Sequence, residues 1–281
     1  MSMQVCYRGS VNRWECDEND HLNVRFYAEK HWQTLCGWLQ LGPLAGRPAV
    51  DELVAGMRWQ HLRFLRESRL ATPLTGVAGV VDSGDDGLQV LTELRHSFSG
   101  EVLCSCLHAI AGVHAAGNID LPEHARPRGV APSDLGYVAL SLHELADYGF
   151  AEIGAGVAQP SECLADGPLL LPYYMGRISD AMPHLWGELP SQEGGAVLEY
   201  RLRYHQPLRC HQAFTVRSGI VAVGSKVQQF AHMLFAADTG VLCASAVAAG
   251  VRMDLQARRA LTLSDARQAQ LRARQLQPLG T

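Results

Sequence analysis

From Val24 to Leu39 the buried-type side chains return at helical spacing. Val24, Tyr27, Ala28, His31, Trp32, Leu35, Trp38 and Leu39 share one face, while Arg25, Glu29, Lys30 and Gln33 fall largely opposite. Such a stripe predicts an amphipathic helix with one buried side. Its aromatic residues predict close packing on a sheet, and Gly42-Pro43 ends the element. Strand-like segments follow at Val54 to Glu67, Leu74 to Val81, Leu88 to Phe98 and Val102 to His114. The turn signals between them are Ser83-Gly84-Asp85-Asp86-Gly87 and Ser99-Gly100. Strands joined in this way predict an antiparallel sheet, and one long helix among them makes an α+β unit.

The programme then repeats. Residues 115 to 136, with Pro122, Pro127, Pro132, Gly117, Gly129 and Gly136 among scattered charges, read as a linker. Val138 to Val157 supplies a first strand, and Leu169 to Leu189 a second helix, disturbed by Pro183. Strands follow at Val197 to Tyr204, Ala213 to Val223, Val227 to Ala236 and Val241 to Met253. Gly100-Glu101-Val102-Leu103-Cys104-Ser105 is similar to Gly240-Val241-Leu242-Cys243-Ala244-Ser245, and the Gly-Val pairs at 112 and 250 stand 138 apart. A fixed offset marks repeated units. The expected division is residues 1–116, a linker at 117–137, a second unit at 138–256, and a tail at 257–281 carrying a short polar helix capped by Ser264.

With 281 residues, 47% hydrophobic and 19% charged, the chain has ample material for a core. A net charge of −4 argues against broad nucleic-acid binding. Eight cysteines without a CxxC pair predict reduced thiols and a cytoplasmic setting. The longest uncharged apolar run, Val241 to Val251, is too short to span a membrane, and no signal peptide is evident. No metal-ligand spacing, GxSxG elbow, P-loop or dinucleotide fingerprint occurs.

Chemistry concentrates just before the first helix, in Asp17-Glu18-Asn19-Asp20-His21-Leu22-Asn23. A helix start offers unpaired N–H groups and partial positive charge to an anion or developing oxyanion. Asp17 and His21 could supply a base or nucleophile beside those donors. The same residues also read as plain structure: Asn23 as the N-cap, Asp17 and Asn19 as turn residues, His21 as a partly buried histidine.

The loop, with Tyr27 on the helix, resembles the Asp-x-x-Gly-His-Val-Asn-Asn-x-x-Tyr pattern of the 4-hydroxybenzoyl-CoA thioesterase branch of hotdog-fold enzymes. Gly240-Val241-Leu242-Cys243-Ala244-Ser245 and Arg252-Met253-Asp254 are also similar to that branch. The resemblance covers nearly the whole chain and implies two tandem hotdog units, each an antiparallel sheet wrapped around a long central helix. It implies hydrolysis of an acyl-CoA or acyl-carrier-protein thioester, with Asp17 as general base or nucleophile. His21 and Asn23 would then orient thioester or water, Asn19, Val24 and Tyr27 would meet substrate, and helix amides would hold the oxyanion. No cofactor is implied beyond the coenzyme A of the substrate, and homo-oligomers of such double units fit the pattern.

Asp20 stands where that branch has Gly, Val24 replaces its second Asn, and the second unit, with Asp166-Gly167-Pro168 before its helix, lacks the motif. Met175-Gly176-Arg177-Ile178-Ser179-Asp180 faintly resembles the helix motif of another thioesterase branch, whose catalytic acid lies within the helix. Asp180 is therefore a second, lesser candidate, because a bond near Ser179 or a solvated face is the plainer account of it, and His184 one turn on reads as structural. Two other functions remain open: a hydratase or dehydratase of enoyl or hydroxyacyl thioesters, and a non-catalytic acyl-thioester binding protein. The first resembles Asp-x-Asn-Pro-Leu-His, whereas here His21 follows Asp17 by four positions without the Pro.

Overall fold

A helix with one apolar face needs a sheet to lie on, and each half of the chain builds that pair. The computed structural model describes residues 3–41, 49–84, 87–115, 117–130, 135–165, 167–187 and 192–279. The expected turns at Gly42-Pro43 and Asp85-Asp86, together with Pro132, Asp166 and Leu189, lie outside the described residues. The chain divides into two units: Met1–Pro127 with Leu171–Met175, and Arg128–Leu170 with Gly176–Thr281.

The first unit runs β1 (Gln4–Ser10), α1 (Val24–Leu41), α2 (Val50–Gly56), β2 (Met57–Phe64), β3 (Pro73–Gly84), β4 (Gly87–His96) and β5 (Val102–Ile110). Its antiparallel strands lie in the order β1-β3-β4-β5-β2. The helical face read from the sequence is the buried one: Tyr27, Ala28, His31, Trp32, Leu35, Trp38 and Leu39 are all buried. Close approach to the sheet is written into a glycine. A Cβ added at Gly37 would come 2.5 Å from the Cys6 carbonyl oxygen of β1. His31 meets polar partners under the helix: its Nδ1 lies 2.8 Å from Thr92 Oγ1, which lies 2.8 Å from His108 Nε2, while His108 Nδ1 is 2.9 Å from Gln60 Nε2. Burial pulls His108 down to about 3, so the ring is neutral near pH 7.

The second half of the chain runs α3 (Glu144–Asp147), β6 (Ala151–Val157), α4 (Leu171–Trp186), β7 (Glu193–Tyr204), β8 (Ala213–Val223), β9 (Val227–Ala236), β10 (Leu242–Asp254), β11 (Arg259–Ala260) and α5 (Asp265–Arg272). Its strands lie in the order β6-β8-β9-β10-β7, the same arrangement as in the first unit, with β11 added to β10. Pro183 sits within α4 without ending it, one turn before the helix stops at Trp186. Ser264 caps α5, its side chain accepting from the Arg267 amide.

Three expectations are corrected. The first strand of the second unit is shorter than Val138 to Val157. Tyr137, Leu145 and Phe150 instead join Met233, Phe235 and Leu276 in a packed cluster, and only Ala151–Val157 pairs as strand. The stretch 54–56 is helical, belonging to α2. The segment before Pro127 is packed as well: Ala125 buries against Leu91 and Leu107, with Ile119 and Leu121 alongside. His124 Nε2 lies 2.6 Å from Glu93 Oε1.

The largest departure from the helical-face argument is Lys30, which is buried. Its ammonium donates to Glu15 Oε1 at 2.7 Å and to the Ser10 carbonyl at 3.3 Å. The other Glu15 oxygen accepts from the Asn12 amide at 2.8 Å, in a capping box on the turn Arg13–Glu15. The pair therefore ties α1 to the chain entering the Asp17 loop. The second unit repeats the device with Glu162 and Arg177, and with Gln159 in the place of Asn12.

Removing one partner of a buried ion pair strands the other charge away from water. Lys30→Met is expected to lower stability by about 3–5 kcal/mol in urea unfolding. Adding Glu15→Gln should recover more than half of that loss. A single variant as stable as wild type would remove the pair from the fold's support.

Candidate active site

The loop from Cys16 to Leu22 is closed at its base by a backbone bridge between those two residues. Asp17 donates its amide to the His21 carbonyl at 2.7 Å, and the Asp20 amide returns to the Asp17 carbonyl at 3.1 Å. This tight return places Asp20 at φ +59°, in the left-handed region where glycine is at ease. The resembled family's Gly at this position thus has a backbone reason, and Asp is among the side chains that tolerate the conformation. Leu22 fixes the far side, its amide donating to the Ser68 carbonyl at 2.8 Å.

One oxygen of the Asp17 carboxylate is committed. Oδ1 accepts from the Asn19 amide at 2.9 Å and the His21 amide at 3.1 Å. Among the described residues Oδ2 has no hydrogen-bond partner. Burial raises the pKa of Asp17, and the two amides oppose that shift without cancelling it. The result is a half-buried carboxylate, more basic than an ordinary aspartate, with one oxygen open.

His21 stands beside it with its side chain 14% exposed and Nε2 3.5 Å from Glu67 Oε2. Asn23 is the N-cap of α1: its side-chain oxygen accepts from the Arg25 amide at 2.9 Å, and its carbonyl from the Phe26 amide at 2.9 Å. The Asn23 amide is spent on the Glu15 carbonyl at 2.9 Å. Among the described residues the Val24 N–H has no acceptor, which leaves it as the first-turn donor open to a ligand. Tyr27 is buried behind the loop, its hydroxyl donating to Ser68 Oγ at 2.8 Å. It braces the segment that holds Leu22.

Asp17, Asn19, His21, Asn23, Val24 and Tyr27 therefore lie on one continuous piece of the first unit. Asp180 belongs to the second unit, exposed on α4. Glu67 and Ser68 had no signal in the sequence, because the segment between β2 and β3 carries no periodicity. Glu15 had one: it follows Asn12 by three, the spacing of a capping box. Among the described residues no group of three His, Cys, Asp or Glu side chains could hold a metal ion. No helix among them is long and apolar enough to cross a membrane.

The counterpart loop in the second unit keeps the backbone hydrogen bonds and loses the chemistry, with its left-handed residue at Ala165 and not at the counterpart of Asp20. Leu164 donates to the Pro168 carbonyl at 2.9 Å, Gly167 to the Leu164 carbonyl at 2.7 Å, and Leu170 to the Glu162 carbonyl at 2.9 Å. These bonds put Leu164 in the place of Asp17, Gly167 in that of Asp20, and Leu170 in that of Asn23.

The five-strand order with a long helix on the sheet, found in each unit, is that of the hotdog fold. Solved structures agree. A 12:0-ACP thioesterase from Umbellularia californica superposes with a TM-score of 0.62 at 12% identity, over 88% of this chain and 93% of that one. An acyl-ACP thioesterase from Bacteroides thetaiotaomicron gives 0.60 at 9% identity, over 88% and 97%. A protein with hot dog fold from Alicyclobacillus acidocaldarius gives 0.54 at 11%, over 89% and 95%. Residues 173–271 match the family described as the Thioesterase-like superfamily. No curated protein matches the chain.

The left-handed position gives a direct check on the loop. Asp20→Gly should leave urea stability unchanged or raised, whereas Asp20→Val should cost about 1–2 kcal/mol more than the glycine variant. Equal stability of the two would mean that the loop does not hold the left-handed turn.

Proposed function

We propose that the protein is a cytoplasmic thioester hydrolase acting on an acyl-CoA or acyl-carrier-protein substrate, with its chemistry in the Asp17 loop. The observation that carries this is the Asp17 carboxylate: half-buried, more basic than usual, one oxygen pinned by two amides and the other open. The family match over 173–271 and the acyl-ACP thioesterases among the structural neighbours support the reaction class.

In this mechanism Asp17 Oδ2 takes a proton from water as the oxygen attacks the thioester carbonyl carbon. The Val24 N–H, at the positive end of α1, donates to the oxyanion. Collapse breaks the C–S bond, and the proton passes from Asp17 to the departing thiolate, giving acid and thiol. His21 and Asn23 would shape the loop and orient the carbonyl or the water, and Asn19 would meet substrate. The second unit contributes scaffold, with Asp180 a subsidiary candidate. A binding protein without turnover is the reading favoured by the structural duties of Asn23 and of Asp17 Oδ1.

Thiol release from a panel of acyl-CoA and acyl-carrier-protein substrates separates these outcomes. Saturable binding with no thiol release would sink the hydrolase, and loss of enoyl absorbance without thiol release would point to a hydratase. Asp17→Asn should lower kcat roughly 10²–10⁴-fold, and turnover near wild type would remove Asp17 from the mechanism.

The pH dependence follows from the raised pKa. The base must be ionised, so activity should fall on acidification at a pH above the ordinary aspartate value of 3.8. For stability the sign is opposite: a raised pKa means that the protonated form suits the fold better. Asp17 thus favours folding below its ordinary pKa, and that contribution is lost as pH rises through the folded value. Asp17→Asn keeps an acceptor for the two amides without the charge, and should be at least as stable as wild type near pH 7. A less stable variant would assign Asp17 a structural role in its ionised form.

A further inference from the structure

The second unit holds a buried arginine with no ion-pair partner among the described residues. Arg252, near the end of β10, is 4% exposed, and its guanidinium lies over the Trp186 ring at 5.2 Å. Trp186, the last residue of α4, meets Phe230 of β9 edge-on, with 4.6 Å between ring centres. The Arg252 Nη1 is shielded from solvent and has no hydrogen-bond acceptor among the described residues. The charged groups that bear on it are Arg267 of α5, which repels it, and Glu193 of β7. Neither neutralises it by an ion pair among the described residues.

An orphan acceptor shares its face. Gln228 of β9 sits opposite Gly250, two positions from Arg252 on the neighbouring strand, so the two side chains point to the same side of the sheet. Gln228 is 1% exposed; its Nε2 donates to the Lys226 carbonyl at 2.9 Å, and its Oε1 has no donor among the described residues. A charge buried without a partner is costly, and such groups persist where something outside the chain completes them. The proposed hydrolysis does not use any of these residues.

We infer that Arg252 anchors a binding site for a small carboxylate carried on an apolar body. The guanidinium fork suits the two carboxylate oxygens. The half-buried Trp186 ring offers apolar surface to the hydrocarbon part, and a water can bridge Gln228 Oε1 to the carboxylate by donating to both. One arginine beside two rings fits a monoanion with an apolar tail better than a phosphate, which calls for more donors. The acid released by the proposed hydrolysis belongs to this class, a link that rests on that proposal. Binding is measured without turnover, so the two can fail separately.

The test uses the full chain and sodium octanoate at constant ionic strength, read by tryptophan fluorescence and by calorimetry. Wild type should bind saturably, and Arg252→Met about 10- to 100-fold more weakly. Should Arg252→Met fail to fold, Arg252→Lys keeps the charge without the fork and should also bind more weakly. Trp186→Phe should bind by calorimetry while losing most of the fluorescence change. Absence of saturable binding, equal affinity in the Arg252 variants, or competition by inorganic phosphate as strong as by octanoate would each overturn the assignment.

Discussion

The buried pair of Lys30 and Glu15 holds the arrangement together. Burying an ammonium is tolerable only if a carboxylate and further acceptors meet it, and here Glu15 and the Ser10 carbonyl do so. Glu15 in turn fastens the Asn12 amide through its side chain and the Asn23 amide through its carbonyl. One residue therefore fixes the turn before the loop, the N-cap after it, and the helix that both abut. The Asp17 loop hangs between these points, which explains how a short irregular segment can hold a carboxylate half out of water.

The duplicated geometry shows what belongs to scaffold and what belongs to chemistry. Glu162, Arg177 and Gln159 repeat the fastening, and the backbone bonds of the loop recur bond for bond. Leu164 and Leu170 nevertheless stand where Asp17 and Asn23 would be. A fold that keeps the fastening without the carboxylate needs the former for stability and not the latter. Burial disfavours the ionised form of Asp17 by more than its two amide donors favour it. A group kept against its own solvation preference is where function is sought first.

The sequence made the helix and the sheet legible because both rest on periodicity. The inner face of α1 is the stripe from Tyr27 to Leu39, and the strands follow their turn signals. Lys30 was misplaced, because helical spacing assigns a lysine to solvent and cannot see a carboxylate fifteen positions back folding onto it. The loop was half legible. Its polar residues stand out, but sequence gives the same weight to a cap and to a catalytic amide, and the structure finds Asn23 capping. Tyr27 matched a motif position, yet its burial beneath Ser68 depends on a segment forty residues on with no local signal.

The repeat was visible with the wrong register at one end. Gly100 and Gly240 make the same bond, to the His96 and Ala236 carbonyls, and Phe64 faces Cys104 as Tyr204 faces Ala244. The sheet offset is thus 140, so the partner of Gly112 is Arg252, and the Gly-Val pairs 138 apart are not equivalent positions. Before the sheet the offset is 147, from Glu15 to Glu162 and Asn23 to Leu170. The seven-residue difference arises between helix and sheet, where the first unit carries α2 of 7 residues. Each offset is constant over a piece whose hydrogen bonds lock its register, and it changes only in a connection, where chain length costs little free energy. Constancy of spacing within bonded pieces is therefore stronger support for two equivalent units than any short run of matching residues.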